Sequence, residues 1–384
     1  MGYVAVRGGG KAIEESLKLL ELERVGSSAA WGTDQIEGMF PELVDQVMGE
    51  ASLYAPRLAA LALKQAQGSP DEAVFLLRAF RSTLERPYIS RPIDTSRMRA
   101  NRRVSAAFKD VPGGQILGAT RDYSHRLLAF DLEVEDEEAL AEKRAALLRH
   151  FDEDACAAAA ASAVDDASSA ALPRVLDYLR GEGLVEPVRR DDTPPIDATM
   201  VPLTFPAPRS VRLQTLARGM TQAVEALGYA AIRGFGPAHP TVGELRRGAV
   251  AVSVDHPLEA GGAEDAYYLG SVPVTEVESV FMSHEDEAAN RSAGLSLAVG
   301  YGCVIGRAET KAIAMSVLDR CLELGDARYP TEDEEFVLYH VDGVEATGFI
   351  SHLKLPHYVT FQSKLSSVRG TREEGKEPAD AAAL

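Results

Sequence analysis

The sequence predicts an α+β fold, a helix-rich N-terminal unit followed by a mixed α/β C-terminal unit. Three observations carry this expectation. Ser69-Pro70-Asp71-Glu72 combines an N-cap, a proline at the first helical position and a glutamate able to complete a capping box; Ala73, Leu76, Leu77, Phe80 and Leu84 then recur at helical spacing. Val250, Val252 and Val254 alternate as a strand does, and Leu295 to Ile305 is a glycine-interrupted apolar run suited to a buried strand. From about Glu309 to Leu324 the residues Ala312, Ile313, Met315, Val317, Leu318 and Cys321 make a helix apolar on most faces, hence largely buried.

The remaining elements follow in order. Tyr3 to Val6 suits a short strand, and Gly8-Gly9-Gly10-Lys11 leads into a helix from about Ala12. This run lacks the GxxxxGK[ST] spacing of a phosphate loop, so it reads as a turn. Helices are expected over about Thr33–Met48 and Ser52–Gln67. Within 132–170, the acidic run Glu133 to Glu138 and the alanine tract Ala157 to Ala161 suit a solvated helix or insertion. Leu172–Arg180 resumes an amphipathic helix, and Arg189 to Thr199, with Pro194-Pro195, reads as a linker. The expected division is 1–131, helix-rich; 132–199, insertion, helix and linker; 200–370, mixed α/β; and 371–384, a disordered tail.

At 384 residues the chain favours two or three structural units, and 46% hydrophobic residues supply a substantial core. No apolar run approaches the roughly 18 residues of a membrane helix, and the N-terminus lacks a signal peptide's apolar stretch, so a cytoplasmic protein is expected. Cys156, Cys303 and Cys321 form no CxxC pair, which argues against a disulfide framework or a cysteine-rich metal site. A net charge of −18 disfavours nucleic acid and anionic lipid as partners. Yet Arg78 to Arg126 carries +7 and Arg209 to Arg247 carries +4. These islands suit either local anion binding or ion pairs with acids elsewhere in the fold.

The densest polar stretch joins Arg102-Arg103, Lys109-Asp110-Val111-Pro112-Gly113-Gly114-Gln115 and Arg121-Asp122-Tyr123-Ser124-His125-Arg126. Cations and a Gly-Gly turn able to expose N–H groups are what a triphosphate needs, and an Asp and a His three apart suit acid–base work. A surface loop tied by ordinary ion pairs has the same composition. His352 and His357 flank Pro356, where a bend could turn both imidazoles toward one point. Two histidines are half a metal site, so the alternatives are a metal completed by distant residues or another chain, and a pair of hydrogen-bonded loop histidines. Glu332 to Glu335 could serve magnesium, but Thr331 with Glu334 also fits a capping box, the preferred reading.

Several of these segments, in order along the chain, resemble the PhnI family of the bacterial carbon–phosphorus lyase core complex. They include Lys109 to Gln115, Asp122-Tyr123-Ser124-His125-Arg126-Leu127-Leu128, Arg233-Gly234-Phe235-Gly236, Gly300-Tyr301-Gly302, Asp333 to Leu338 and Ser351 to Tyr358. The resemblance implies a subunit of alpha-D-ribose 1-methylphosphonate 5-triphosphate synthase, which with G, H and L subunits displaces adenine from MgATP by an alkylphosphonate. It implies a purine nucleosidase activity for the chain alone. It also implies a two-fold core assembly with G, H and J subunits, containing two copies of this chain. A zinc-type metal at the J contact would take His352 and His357.

On this basis Asp122 and His125 are the acid–base candidates. Arg102, Arg103, Lys109, Gln115 and Arg126 are expected near the anions, with Mg2+ on the nucleotide. Two alternatives stand: a non-catalytic scaffold whose partners complete every active site, and a self-contained zinc hydrolase with His340 or Glu345 as a third ligand.

Overall fold

A computed structural model describes residues 9–26, 30–151, 172–188, 193–235, 239–258, 266–282, 296–325, 328–354 and 358–374. Helices α1 (Gly9–Val25), α2 (Thr33–Met39), α3 (Pro41–Ala51), α4 (Pro56–Gln65) and α5 (Pro70–Ser82) come first. Strand β1 (Arg99–Val104) is followed by α6 (Glu137–His150), α7 (Val175–Gly181), α8 (Arg209–Arg218) and α9 (Thr221–Ala230). Then come β2 (Thr241–Asp255), β3 (Ala266–Met282) and β4 (Leu297–Ile305). The last helices are α10 (Glu309–Leu324), α11 (Glu334–His340), α12 (Gly343–Ser351) and α13 (Tyr358–Glu374). Helices with one antiparallel sheet make the fold α+β, as expected.

Prolines correct the early boundaries. The single helix expected over Thr33–Met48 is two, because Pro41 has no N–H to continue a helix but suits the first position of a new one. Pro56 likewise opens α4, and Ser52, expected to begin that helix, instead ends α3 in a left-handed conformation at φ 53°. α5 starts as expected, Ser69 accepting the Glu72 N–H at 3.5 Å. The Thr331 capping box does not form: Asp333 caps α11, accepting from the Phe336 N–H at 2.9 Å, while Thr331 donates to the Phe235 carbonyl. α13 runs through Glu374, into the segment expected to be a disordered tail. Tyr3–Val6, Cys156, the alanine tract and residues 375–384 lie outside the described residues.

The chain forms two compact units. Unit 1 gathers Met1–Glu85, Pro194–Gly236 and Leu322–Leu384; unit 2 gathers Arg86–Thr193 and Pro237–Cys321. The sequence-derived segments 1–131 and 200–370 therefore each contribute to both units, and one passage falls at Thr193–Pro194, inside the stretch read as a linker.

Unit 1 is helical. Val47, Ala59, Ala60, Ala73 and Leu77 bury the facing stripes of α3, α4 and α5, and Leu216, Val224, Val337 and Leu338 close the core from α8, α9 and α11. Arg78 on α5 grips the α12 N-cap Asp342 through both carboxylate oxygens, at 2.8 and 2.9 Å. Unit 2 is built on the antiparallel meander β1-β2-β3-β4. Gly300 and Gly302 on β4 lie directly under α10: a Cβ on either would overlap the Ser316 or the Ala312 carbonyl. The Gly-Tyr-Gly run is thus the seam that lets helix backbone meet strand backbone. Asp319 of α10 accepts the Tyr301 N–H at 2.9 Å, and the Ser279 and Ser316 hydroxyls bond at 2.7 Å.

Candidate functional site

The polar stretch 99–126 lies in unit 2 and is anchored by β1. Arg103 is fully buried, its Nε 2.7 Å from the Glu244 carboxylate. Its remaining nitrogens donate to the carbonyls of Pro112 (2.9 Å), Gly114 (3.1 Å) and Pro173 (2.9 Å). A guanidinium so enclosed holds the Gly-Gly turn rather than meeting a solvent-borne anion. The turn fits because Gly113 is left-handed at φ 80°, and a Cβ there would stand 2.8 Å from the Arg103 guanidinium. The Gly114 N–H donates to the Val111 carbonyl at 2.8 Å, so it is engaged within the turn. Arg102 is also buried, meeting Glu309 at 3.0 Å and donating to the Leu117 carbonyl.

The other expected site residues are exposed: Lys109, Gln115, Asp122, His125 and Arg126. Asp122 accepts from Arg126 at 2.6 Å and from the Thr120 hydroxyl at 2.8 Å. Asp122 lies in the short 3-10 turn Arg121–Tyr123 and Arg126 beyond it has left-handed backbone at φ 52°, so this i,i+4 pair is not carried by an α-helix. The segment thus brings an acid, a cation and a nearby imidazole to an open surface, beside the exposed Tyr123, Leu127, Leu128, Phe130, Leu132 and Val134.

Ion pairs account for much of the two basic islands. Arg78 meets Asp342, Arg91 meets Asp255 at 2.6 Å, and Arg246 meets Glu276. Arg247 shares Glu309 with Arg102, at 2.9 Å.

One arrangement went unseen in the sequence. A face of the sheet carries buried Arg246, Glu276 and Glu278 from facing strands, joined by Arg174 and Arg180. Tyr301 donates to Glu276 at 2.8 Å, and the Thr95 hydroxyl donates to it at 2.7 Å. Burial pushes the Glu276 carboxyl up, but Arg246, Arg174 and these two hydroxyls outweigh it and hold it below its ordinary value. Burial and the nearby Glu276 charge push the Cys303 thiol up to about 12, so it stays protonated and is no nucleophile at neutral pH. The visible signal was the strand alternation Glu276-Val277-Glu278, which ordinarily marks a solvent face.

His352 lies at the end of α12, half-buried, its Nδ1–H donating to the Phe349 carbonyl. With the proton on Nδ1, the imidazole lone pair lies on Nε2. His357 lies outside the described residues. His340 binds the Phe336 carbonyl through Nδ1 at 2.6 Å. Among the described residues, which do not include His357, no group of three or more His, Cys, Asp or Glu side chains is gathered to hold a metal. Nor does any described helix have the length and apolarity to cross a membrane.

The comparisons with known proteins agree over nearly the whole chain. The model of the family described as bacterial phosphonate metabolism protein (PhnI) matches residues 2–375. A putative C-P lyase subunit protein, HtxH, of Stutzerimonas stutzeri is 45% identical over 97% of each chain. Two proteins named alpha-D-ribose 1-methylphosphonate 5-triphosphate synthase subunit PhnI are each 42% identical over 97% of this chain. The Rhizobium meliloti protein is covered over 95% of its length and the Escherichia coli protein over 99%. The chain therefore belongs to the PhnI family of bacterial phosphonate metabolism proteins.

Proposed function

We propose that this chain is the I-type subunit of an alpha-D-ribose 1-methylphosphonate 5-triphosphate synthase. The observation that carries the reading is 42% identity over 97% of the chain to two subunits so named. In the reaction an alkylphosphonate oxygen bonds to C1′ of the nucleotide as the C1′–N9 bond breaks. The base leaves with the bonding electrons and takes up a proton, and the sugar passes through an oxocarbenium-like state. Magnesium enters on the phosphates of the nucleotide. With water in place of the phosphonate, the same steps release base from ATP or GTP, the nucleosidase reaction.

We assign His125 as the proton donor to the purine and Asp122 as the anion beside C1′. Lys109, Gln115 and Arg126 face the triphosphate. Arg102 and Arg103 position the segment through Glu309, Glu244 and the Gly-Gly turn. The exposure of Asp122 and His125 beside a row of exposed apolar side chains supports closure of the site by a partner, of G, H or L type. A J-type partner would add the missing ligands to His352 and His357, and the zinc-type ion would tie that contact together structurally. Two copies of the chain complete the core assembly.

The test is adenine release from MgATP and methylphosphonate by the chain co-purified with its G, H and L partners. The new C1′ ester is followed by phosphorus NMR. Wild-type rates from both Asp122→Asn and His125→Ala complexes would sink the site assignment. The scaffold reading draws on the same exposure. It gains if the isolated chain releases no guanine from GTP and neither variant alters the complex.

A further inference from the structure

Two arginines face each other across neighbouring strands of unit 2. Arg102 on β1 and Arg247 on β2 are directly opposite in the ladder, just past a shift of register at Asn101. Like charges so placed repel unless an acid stands between them. Glu309, the first residue of α10, takes that place: it accepts from Arg102 Nε at 3.0 Å and from Arg247 Nη1 at 2.9 Å. We propose that Glu309 and Arg247 are positioning residues which, with Arg102, aim Asp122 at the sugar carbon of the nucleotide. The proposal rests on the assignment of Asp122 to the synthase reaction.

Each arginine turns a further nitrogen to the chain that leads to Asp122. Arg102 Nη1 donates to the Leu117 carbonyl, and Arg247 Nη2 donates to the Ala119 carbonyl at 2.8 Å. Between the two held carbonyls Gly118 is left-handed at φ 62°, and a Cβ there would stand 2.5 Å from the Asn101 carbonyl. The backbone therefore lies directly on β1, an approach that glycine permits. Upstream, Ile116 and Arg103 exchange both backbone hydrogen bonds, at 2.7 and 2.8 Å. Downstream, the Thr120 hydroxyl accepts the Asp122 N–H at 3.3 Å and donates to the Asp122 carboxylate at 2.8 Å. Thr120, which orients the carboxylate, thus follows directly on the last clamped carbonyl.

The contrast in exposure shows what the clamp is for. The Arg102, Arg247 and Glu309 side chains are 6%, 12% and 15% exposed, whereas every residue from Arg121 to Val134 is exposed. A buried ion cluster is a weak source of stability, but it fixes geometry where its groups also hold backbone. A misplacement of about 1 Å at a reacting centre can cost about a hundredfold in rate. The clamp supplies a fixed origin for a segment that is otherwise open.

The experiment compares Arg247→Lys and Glu309→Asp with wild type. Both keep their charge; the first has one nitrogen where two are needed, and the second is a methylene too short to meet both guanidiniums. Tryptic cleavage after Arg121 is followed in the full chain, and adenine release from MgATP and methylphosphonate in the complex. Cleavage should be about fivefold or more faster. Adenine release should be about tenfold or more slower. Combined with Asp122→Asn, either variant should slow release far less than the product of the single losses, because the group it aims is already gone. A merely structural role would give losses that multiply. Should one variant fail to fold, the other decides. Wild-type release from Asp122→Asn removes the site reading and the proposal with it. With Asp122→Asn slow, the proposal alone is overturned by wild-type release from the clamp variants, by unchanged cleavage after Arg121, or by losses that multiply.

Discussion

Arg103 and Glu244 meet at 2.7 Å across neighbouring strands of the sheet with neither side chain reaching solvent. The second Glu244 oxygen accepts the Val175 N–H at 2.9 Å, so one carboxylate joins β1, β2 and the start of α7. Removing either charge leaves the other buried without its partner. Arg103→Ala and Glu244→Ala are each expected to cost about 3–5 kcal/mol in urea unfolding. The double variant should cost clearly less than the two losses added together.

The exposed pair Asp122 and Arg126 predicts the opposite balance. With side chains 57% and 64% exposed, it contributes about 0–1 kcal/mol. Asp122→Asn and His125→Ala should leave the melting temperature within a degree or two, roughly, of wild type. Adenine release by the complex should fall by about 10²–10⁴-fold. A matching loss of stability in circular dichroism melts would instead mark the segment as structural.

The seam under α10 tolerates no Cβ. Gly300→Ala and Gly302→Ala must push helix and strand apart, because the overlap is with backbone carbonyls rather than pliable side chains. Each is expected to lower stability by about 1–3 kcal/mol or more, read as a shift in denaturation midpoint at unchanged m-value.

Acid should weaken unit 1 through Asp342. Burial pushes this carboxyl up, but the Arg78 charge and hydrogen bonds, the Glu345 N–H and Arg218 outweigh it, so its net displacement is downward. A depressed carboxylate contributes stability above its unfolded value, near 4, and loses it as pH falls through the folded value. Asp342→Asn should therefore be less stable than wild type at pH 7, and the difference should shrink as pH drops below about 4. A gap that stays constant from pH 7 to pH 2.5 would rule out the ion pair as its source.

Zinc content offers a test that needs no turnover. The complex containing the J-type partner is expected to hold metal by mass spectrometry, whereas the isolated chain should hold little. His352→Ala should lower the metal content of the complex relative to wild type, because it removes one of the ligands.

The helices were legible where local chemistry decides them: the Ser69-Pro70 start of α5 and the apolar faces of α10 both hold. Pro41 and Pro56 are equally visible, and each starts a helix where the apolar spacing alone runs on across it. β1 and β3 went unread because their inward face is charged. Arg103, Glu276 and Glu278 are buried, and so is Val277 between the two glutamates, so both faces of β3 are covered there and the charged–apolar alternation marks no solvent side. Which arginine pairs with which acid spans separations of 141 residues for Arg103–Glu244 and 264 for Arg78–Asp342, a matter of topology that local pattern does not carry. For the same reason Arg103 reads as a substrate ligand from composition and as an internal brace from its contacts.

The interleaving of the two units bears on how the chain is made. Unit 2 has all its residues once Cys321 has been synthesised, but unit 1 needs Leu322 onward to supply α11 and the Asp342 that Arg78 grips. Its first helices, up to Glu85, leave the ribosome long before those partners exist. At about 5–20 residues per second the intervening synthesis lasts from roughly ten seconds to a minute, far longer than helix formation. The oldest part of the polypeptide is thus among the last to reach its finished surroundings, and chaperone demand during translation should concentrate on the N-terminal helices.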